Sequence, residues 1–311
     1  MKHCFLLAAL LVVGLAVGAN LLHAQSYWVA TNGPYDGFVY SQVISSDGSL
    51  FAGTGAKGVL RKEKLDAGSW EEANEGLEKA GVYSLVIDAN GVLYAGTDAG
   101  VYKSNDNGAQ WTEVNQGLTN TFINGLAINS YGTIFAATGG GGVFRSNDGY
   151  SWEQVNQGLG STVVLSLAVS PSGVVIAGTD GGGVYRSFDY GKSWEKVNYG
   201  LSNKVILSLS VDGNGYVYAG TRGGGVFRST LTSNVWSQVV KGLGPKAVYS
   251  LTADNQGYLY AGTDAGVYRT ADNGGIWQVM NTGLTNTIVL SVVAGENLLA
   301  GTGGSGVFRL N

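Results

Sequence analysis

Three aspartates, Asp98, Asp180 and Asp264, each follow directly on a threonine that closes an Ala-Gly-Thr triplet, and Arg222 takes the same place after another copy of that triplet. The remaining copies put glycine there, at Gly55, Gly139 and Gly303. Carboxylates at one register of a repeat serve general acid/base chemistry if two of them stand roughly 5 to 9.5 Å apart. Alternatively, with Lys57, Glu78, Lys79, Lys204 and Lys246 nearby on the same face, they form a polar ring that binds a ligand without turning it over. The plainest reading is that Asp and Gly simply make these turns, with Asp180 and Arg222 paired across neighbouring repeats.

A second set of carboxylates lies in Ser104-Asn-Asp106-Asn-Gly108-Ala-Gln-Trp111 and its copies. These run from Ser187 to Trp194 with Asp189, from Thr270 to Trp277 with Asp272, and, shortened by one residue, from Ser146 to Trp152 with Asp148. The copy ending at Trp70 is degenerate, and the one from Ser229 to Trp236 has lost both Asp and Gly. Aspartate in such a turn accepts backbone N–H bonds, glycine supplies the positive φ and tryptophan anchors the loop, so Asp106, Asp148, Asp189 and Asp272 read as structural. One carboxylate per turn is too few for a calcium cage, which takes about six to eight oxygens. No metal or cofactor is implied. The glycine runs at 139 to 142 and 181 to 183 are not phosphate loops, because no helix N-terminus follows them.

These residues must be positioned by a repeat. The threonine of the triplet recurs at Thr54, Thr97, Thr138, Thr179, Thr221, Thr263 and Thr302, with Ala137 in place of one glycine, at steps of 43, 41, 41, 42, 42 and 39. The seven tryptophans of the chain, Trp28, Trp70, Trp111, Trp152, Trp194, Trp236 and Trp277, fall into one register. Each copy holds four short runs rich in β-branched and aromatic residues, separated by Gly, Asn and Asp clusters; in the second these are 83 to 87, 93 to 97, 101 to 104 and 111 to 114. Four strands in about 41 residues, with no helical period, predict an all-β fold: a seven-bladed β-propeller of four-stranded antiparallel blades. The last copy lacks its tryptophan strand and Tyr27 to Thr31 supplies one with no blade before it, so the N-terminal strand is expected to complete the seventh blade.

Side-chain size follows the wedge shape of a blade. Ser41, Ser84, Gly125, Ser166, Ser208, Ser250 and Ser291 share one register of the first strand, and the Ala-Gly-Thr triplet occupies the second, where room is least. Larger residues such as Tyr102, Phe144 and Tyr185 stand further out, and the tryptophans fill the widest gap. Arg61, Arg145, Arg186, Arg228, Arg269 and Arg309, with Lys103 in the second copy, hold one repeated site at the end of the third strand and read as scaffold.

Lys2 and His3 precede an almost wholly apolar run from Phe5 to Ala19, and Leu22-His23-Ala24 follows. This pattern predicts a secretory signal peptide over residues 1–24, cleaved after Ala24 or alternatively after Ala19, leaving residues 25–311 as one propeller domain, secreted or periplasmic. Both histidines, His3 and His23, and the single cysteine, Cys4, lie in that segment. The mature chain therefore runs neither Ser-His-Asp nor Cys-His chemistry and builds no His or Cys zinc site. Losing Lys2 leaves 17 of the 18 basic side chains against 22 acidic ones. That acidic balance excludes a nucleic-acid footprint, and no basic stretch suggests a membrane-surface helix. A monomer is expected.

The S/T-x-D-x-G-x-x-W turns at propeller spacing resemble the Asp-box (BNR) repeats of secreted β-propellers, and the resemblance covers essentially the whole mature chain. That group includes sialidases, xyloglucanase-type glycoside hydrolases, sortilin-like receptor domains, the photosystem II assembly factor family and sensor propellers of two-component regulators. It implies the fold more strongly than an activity. The sialidase resemblance implies an arginine triad, but only Arg222 is free of the repeat. The xyloglucanase resemblance implies two catalytic aspartates between two propellers, and this chain offers one ring. The expected function is a non-catalytic propeller that binds a protein or glycan on one face; the alternative is a glycoside hydrolase using Asp98, Asp180 or Asp264. Tyr131, Tyr150, Tyr190, Tyr216 and Tyr258, on the opposite face, are either sugar-stacking platforms or ordinary rim residues.

Overall fold

The computed structural model describes residues 26–35, 37–77 and 80–311; the segment expected to be a signal peptide, with Glu78 and Lys79, lies outside the described residues. All regular structure among the described residues is β, and it forms seven four-stranded antiparallel sheets. No helix there is long and apolar enough to cross a membrane. Blade 2 is typical, with strands Val82–Ile87, Leu93–Thr97, Gly100–Ser104 and Thr112–Glu113 in sequence order. Blade 7 takes three strands from the C-terminus and its fourth, Trp28–Ala30, from the N-terminus, with Trp28 opposite Leu310 and Ala30 opposite Phe308. The chain ends thereby pair with one another, and the ring closes as the sequence predicts.

The innermost strands, Val39–Ile44 in blade 1 through Val289–Ala294 in blade 7, pack side by side around the axis. Each core cluster draws on two adjacent blades: Phe51 and Val59 of blade 1, for example, pack with Leu85, Tyr102 and Trp111 of blade 2. The crowding near the axis explains the triplet. A Cβ added to Gly53 would come within 2.7 Å of Val82 in the next blade, and one added to Gly178 would lie 2.4 Å from Ser166 Oγ.

Every seam between blades carries an inner hydrogen bond. Ser41, Ser84 and Ser250 accept from the backbone N–H of Leu85, Leu126 and Val292. Ser166, Ser208 and Ser291 donate to the carbonyls of Ile206, Val248 and Val39. Blade 3 has Gly125 where the serine belongs, and there Asn124 donates to Val164 O instead.

The outer rim is fastened by the tryptophans. In blade 2 the fourth strand is only Thr112–Glu113, so Trp111 stands just before the strand rather than within it. Its indole Nε1–H reaches back 2.8 Å to Ala73 O of blade 1. Trp152, Trp194, Trp236, Trp277 and Trp28 make the same bond to Val114, Val155, Val197, Val239 and Met280, and Trp70 bonds Thr31 Oγ1. An indole N–H that must find a partner when buried thus becomes an interblade clasp.

Candidate functional site

The turn between the second and third strands and the crossing from one blade to the next share one face, around the mouth of the axial channel. The triplet threonine builds that turn: Thr97 Oγ1 donates to Gly100 O at 2.9 Å and accepts from Ala99 N at 3.0 Å. The residue after the threonine is left to point outward, and Asp98, Asp180, Arg222, Asp264 and Lys57 are all exposed. Asp98 belongs to blade 2, Asp180 to blade 4 and Asp264 to blade 6, so no two of these carboxylates stand on adjacent blades.

Blades 4 to 6 gather the charges. Lys204 O accepts from Gly181 N, next to Asp180, and Arg222 N donates to Val205 O. Arg222 bridges Ala247, beside Lys246, while Asp264 N donates to Ala247 O. The order around the mouth is therefore Asp180, Lys204, Arg222, Lys246, Asp264. The ion pairs among the described residues are Arg145–Glu153, Arg186–Glu195 and Arg309–Asp66, so Asp180 and Arg222 do not pair. Lys57 donates to Tyr35 O at 3.2 Å.

Blades 1 to 3 carry a feature that the sequence reading missed. Phe38, Tyr40, Tyr83 and Phe122 form one continuous row of rings across the mouth, with successive centroids 6.0, 5.2 and 5.3 Å apart and tilts of 28°, 42° and 34°. Phe38 is 50% exposed and Phe122 41%, whereas Tyr40 and Tyr83 are half-buried. Burial and then the nearby charge of Asp98 push the Tyr83 phenol above its ordinary pKa. The row borders a cleft of about 390 Å³ lined by Gly37, Phe38, Tyr40, Gly55, Ala56, Tyr83 and Gly304.

The glycines after the triplet are part of this arrangement. A Cβ on Gly139 would meet the Phe122 ring at 3.0 Å, one on Gly55 the Tyr40 ring at 2.9 Å, and one on Gly303 Ile288 at 3.1 Å and Phe38 at 3.4 Å. Glycine stands after the triplet where the residue just before the first strand is bulky (Phe38, Phe122, Ile288). Aspartate or arginine stands there where that residue is Gly81, Val163, Val205 or Ala247. This reciprocal pattern was the sequence signal for the aromatic row.

The second set of carboxylates faces the other way. Asp148 Oδ1 accepts from Ser151 N, Tyr150 N and Ser146 Oγ, and the Ser151 and Tyr150 N–H groups are the main cause that holds its carboxyl at about 2. Asp189 is held at about 2 chiefly by Ser193. Asp106 is lowered chiefly by the Gln110 N–H, and Asp272 chiefly by the Thr270 hydroxyl and then the Ile276 N–H. The neighbouring arginines tie these turns together: Arg145 Nη1 donates to Tyr190 O and Arg228 Nη1 to Asn273 O, each in the following blade. Of the tyrosines on this face, Tyr216 and Tyr258 lie under Arg228 and Arg269 at 5.0 and 4.8 Å, and Tyr131 is 77% exposed. No group of His, Cys, Asp and Glu among the described residues is arranged to hold a metal ion.

No family model and no curated protein matches the chain. Among solved structures it is similar to the extracellular domain assigned to a one-component regulatory system of B. thetaiotaomicron, at 22% identity over 89% of this chain with a TM-score of 0.73. The match spans 38% of that structure's length. It is also similar to YCF48 bound to a D1 peptide, at 14% identity over 93% of this chain and 96% of the other, with a TM-score of 0.74. A GH74 enzyme of Niastella koreensis matches at 18% identity over 89% of this chain and 43% of its own, with a TM-score of 0.66. At such identities the likeness is one of fold: the chain is a seven-bladed β-propeller.

Proposed function

We propose that this chain is an exported, non-catalytic binding propeller whose working face is the channel mouth, and that the row Phe38, Tyr40, Tyr83 and Phe122 is its docking site. The observation that carries this reading is the row itself. Four aromatic rings in contact, two of them about half exposed, beside a cleft of about 390 Å³, match the apolar, concave character of ligand sites. The tryptophans and the third-strand rings pack into rim and seams, whereas Phe38 and Phe122 reach solvent at the two ends of a row completed by the half-buried Tyr40 and Tyr83. The S/T-x-D turns, read as Asp-box staples, support a rigid frame that holds the mouth.

The spread of Asp98, Asp180 and Asp264 over alternate blades speaks against a paired-carboxylate hydrolase, whose two groups stand close together. Export is supported by the composition of residues 1–24 and is consistent with an extracellular domain among the similar folds. A peptide and a glycan are the two ligand classes that such a mouth suits, and YCF48 shares the fold and is bound to a peptide.

The test is a binding screen on peptide and glycan arrays, with a hydrolysis assay on sialosides and xyloglucan alongside. Binding is expected to fall in Phe122→Ala and to persist in Tyr216→Ala and Tyr258→Ala on the other face. Turnover that disappears in Asp98→Asn, Asp180→Asn or Asp264→Asn would overturn the reading.

A further inference from the structure

We propose that the cleft over Gly55 takes an apolar side chain of an acidic peptide, with carboxylates of that peptide held by Lys57 beside the cleft and, across the mouth, by the cationic arc Lys204, Arg222 and Lys246. The inference rests on the reading of the mouth as the docking face and names its occupant.

Ring geometry favours a side chain over a sugar. A pyranose stacks on an open ring face, but Tyr40 is covered by Phe38 on one side and Tyr83 on the other, and Tyr83 by Tyr40 and Phe122. The Phe122 ring lies against Gly139, and the Phe38 ring against Gly303. The two inner rings thus have ring neighbours on both sides, and the end rings border the glycine backbone at Gly139 and Gly303. Its cleft of about 390 Å³ lies near the lower end of small-ligand pockets, roughly 300 to 1,000 Å³, and suits one inserted side chain.

Charge then selects the sequence around that anchor. The chain as a whole carries a net charge of −4. Among the described residues named at the mouth, the cations Lys57, Lys204, Arg222 and Lys246 stand with the carboxylates Asp98, Asp180 and Asp264, four against three. None of these cations pairs with a described carboxylate. Lys57 sits on the turn that contributes Gly55 and Ala56 to the cleft, and Lys246 leans on the Tyr268 ring at 5.8 Å. Cations on an otherwise acidic protein attract an acidic partner and repel a basic one.

Calorimetric titration of the full chain with four probes tests this: a short peptide with one phenylalanine among aspartates, its phenylalanine-to-alanine version, a version with lysines for the aspartates, and a neutral cello-oligosaccharide. The aspartate peptide is expected to bind, more weakly as salt rises. Its alanine version should lose roughly 30-fold in affinity, as for truncation of a buried anchor. Phe38→Ser should produce a loss of similar size and Lys57→Glu a smaller one, both with unchanged circular dichroism and melting. Equal or tighter binding of the lysine peptide, binding of the oligosaccharide alone, or no binding of any probe would overturn the acidic-peptide inference. Oligosaccharide binding weakened by Phe38→Ser would leave the mouth as docking face. Peptide binding untouched by Phe38→Ser but lost in Tyr216→Ala would sink the mouth reading as well.

Discussion

Asn124 donates its side-chain amide to Val164 O at 2.8 Å, and so carries the one inner seam at which no serine hydroxyl is present. The neighbouring Gly125 faces Ala137, where the other blades set serine opposite glycine, as in Ser166 and Gly178. Three departures from the repeat, at 124, 125 and 137, thus form one compensated unit. They also explain why Ala137 interrupts the triplet.

That unit predicts a double-mutant cycle. Gly125→Ser alone places a hydroxyl where Ala137 has its methyl group if it takes the conformation of Ser166, Ser208 and Ser291, whose Oγ lies only 2.2 to 2.4 Å from where a Cβ on the facing glycine would stand. We expect a loss of about 1 to 3 kcal/mol from overpacking, largely recovered in Gly125→Ser with Ala137→Gly. Urea melts of the single and double variants measure it, and additive losses would contradict the coupling.

Removing the clasp of a buried tryptophan should cost more than removing the half-buried one. Trp111 is 3% exposed and bonds a backbone carbonyl, whereas Trp70 is half-buried and bonds the Thr31 hydroxyl. Trp111→Ala is expected to destabilise by about 3 to 5 kcal/mol, and Trp70→Ala by clearly less. Chemical denaturation of the two variants decides the order.

The N-terminal strand should be indispensable to the ring. Trp28–Ala30 pairs with the strand holding Phe308, Trp28 bonds Met280 O of blade 6, and Thr31 bonds Val307 O. Deleting residues 26 to 33 should lower the melting temperature by about 10 °C or more. An unchanged melting curve would show that the closure contributes nothing.

Acid should loosen the face opposite the mouth first. Asp47 is held at about 2, chiefly by Ser45, and Asp148 and Asp189 lie there too, against an ordinary value of 3.8. A carboxylate depressed in the fold contributes stability that is present above 3.8 and lost as pH falls toward 2. Melting temperatures taken between pH 6 and pH 2 should therefore decline, and Asp148→Asn should flatten that decline while lowering the value at neutral pH.

The fold was legible because the wedge geometry of a blade repeats its demands: small residues at the axis, tryptophan at the rim, Asp and Gly in the turns. The site was only half legible. Asp98, Asp180, Arg222 and Asp264 do lie where the copies differ and are exposed, but the rings beside them went unseen. Phe38, Tyr40, Tyr83 and Phe122 sit in or next to strands, where aromatic residues are ordinary. Only the side-by-side packing of three consecutive blades turns them into one surface. Their trace in the sequence was indirect, in the glycines at 55, 139 and 303 that make room for bulk elsewhere.

Hydrogen–deuterium exchange of the full chain with and without the aspartate–phenylalanine peptide tests the docking face most directly. The account predicts new protection at residues 37 to 41, 55 to 58 and 120 to 124, around the aromatic row. Protection confined to residues 104 to 111, 146 to 152 and 187 to 194, in the turns of the opposite face, would contradict it.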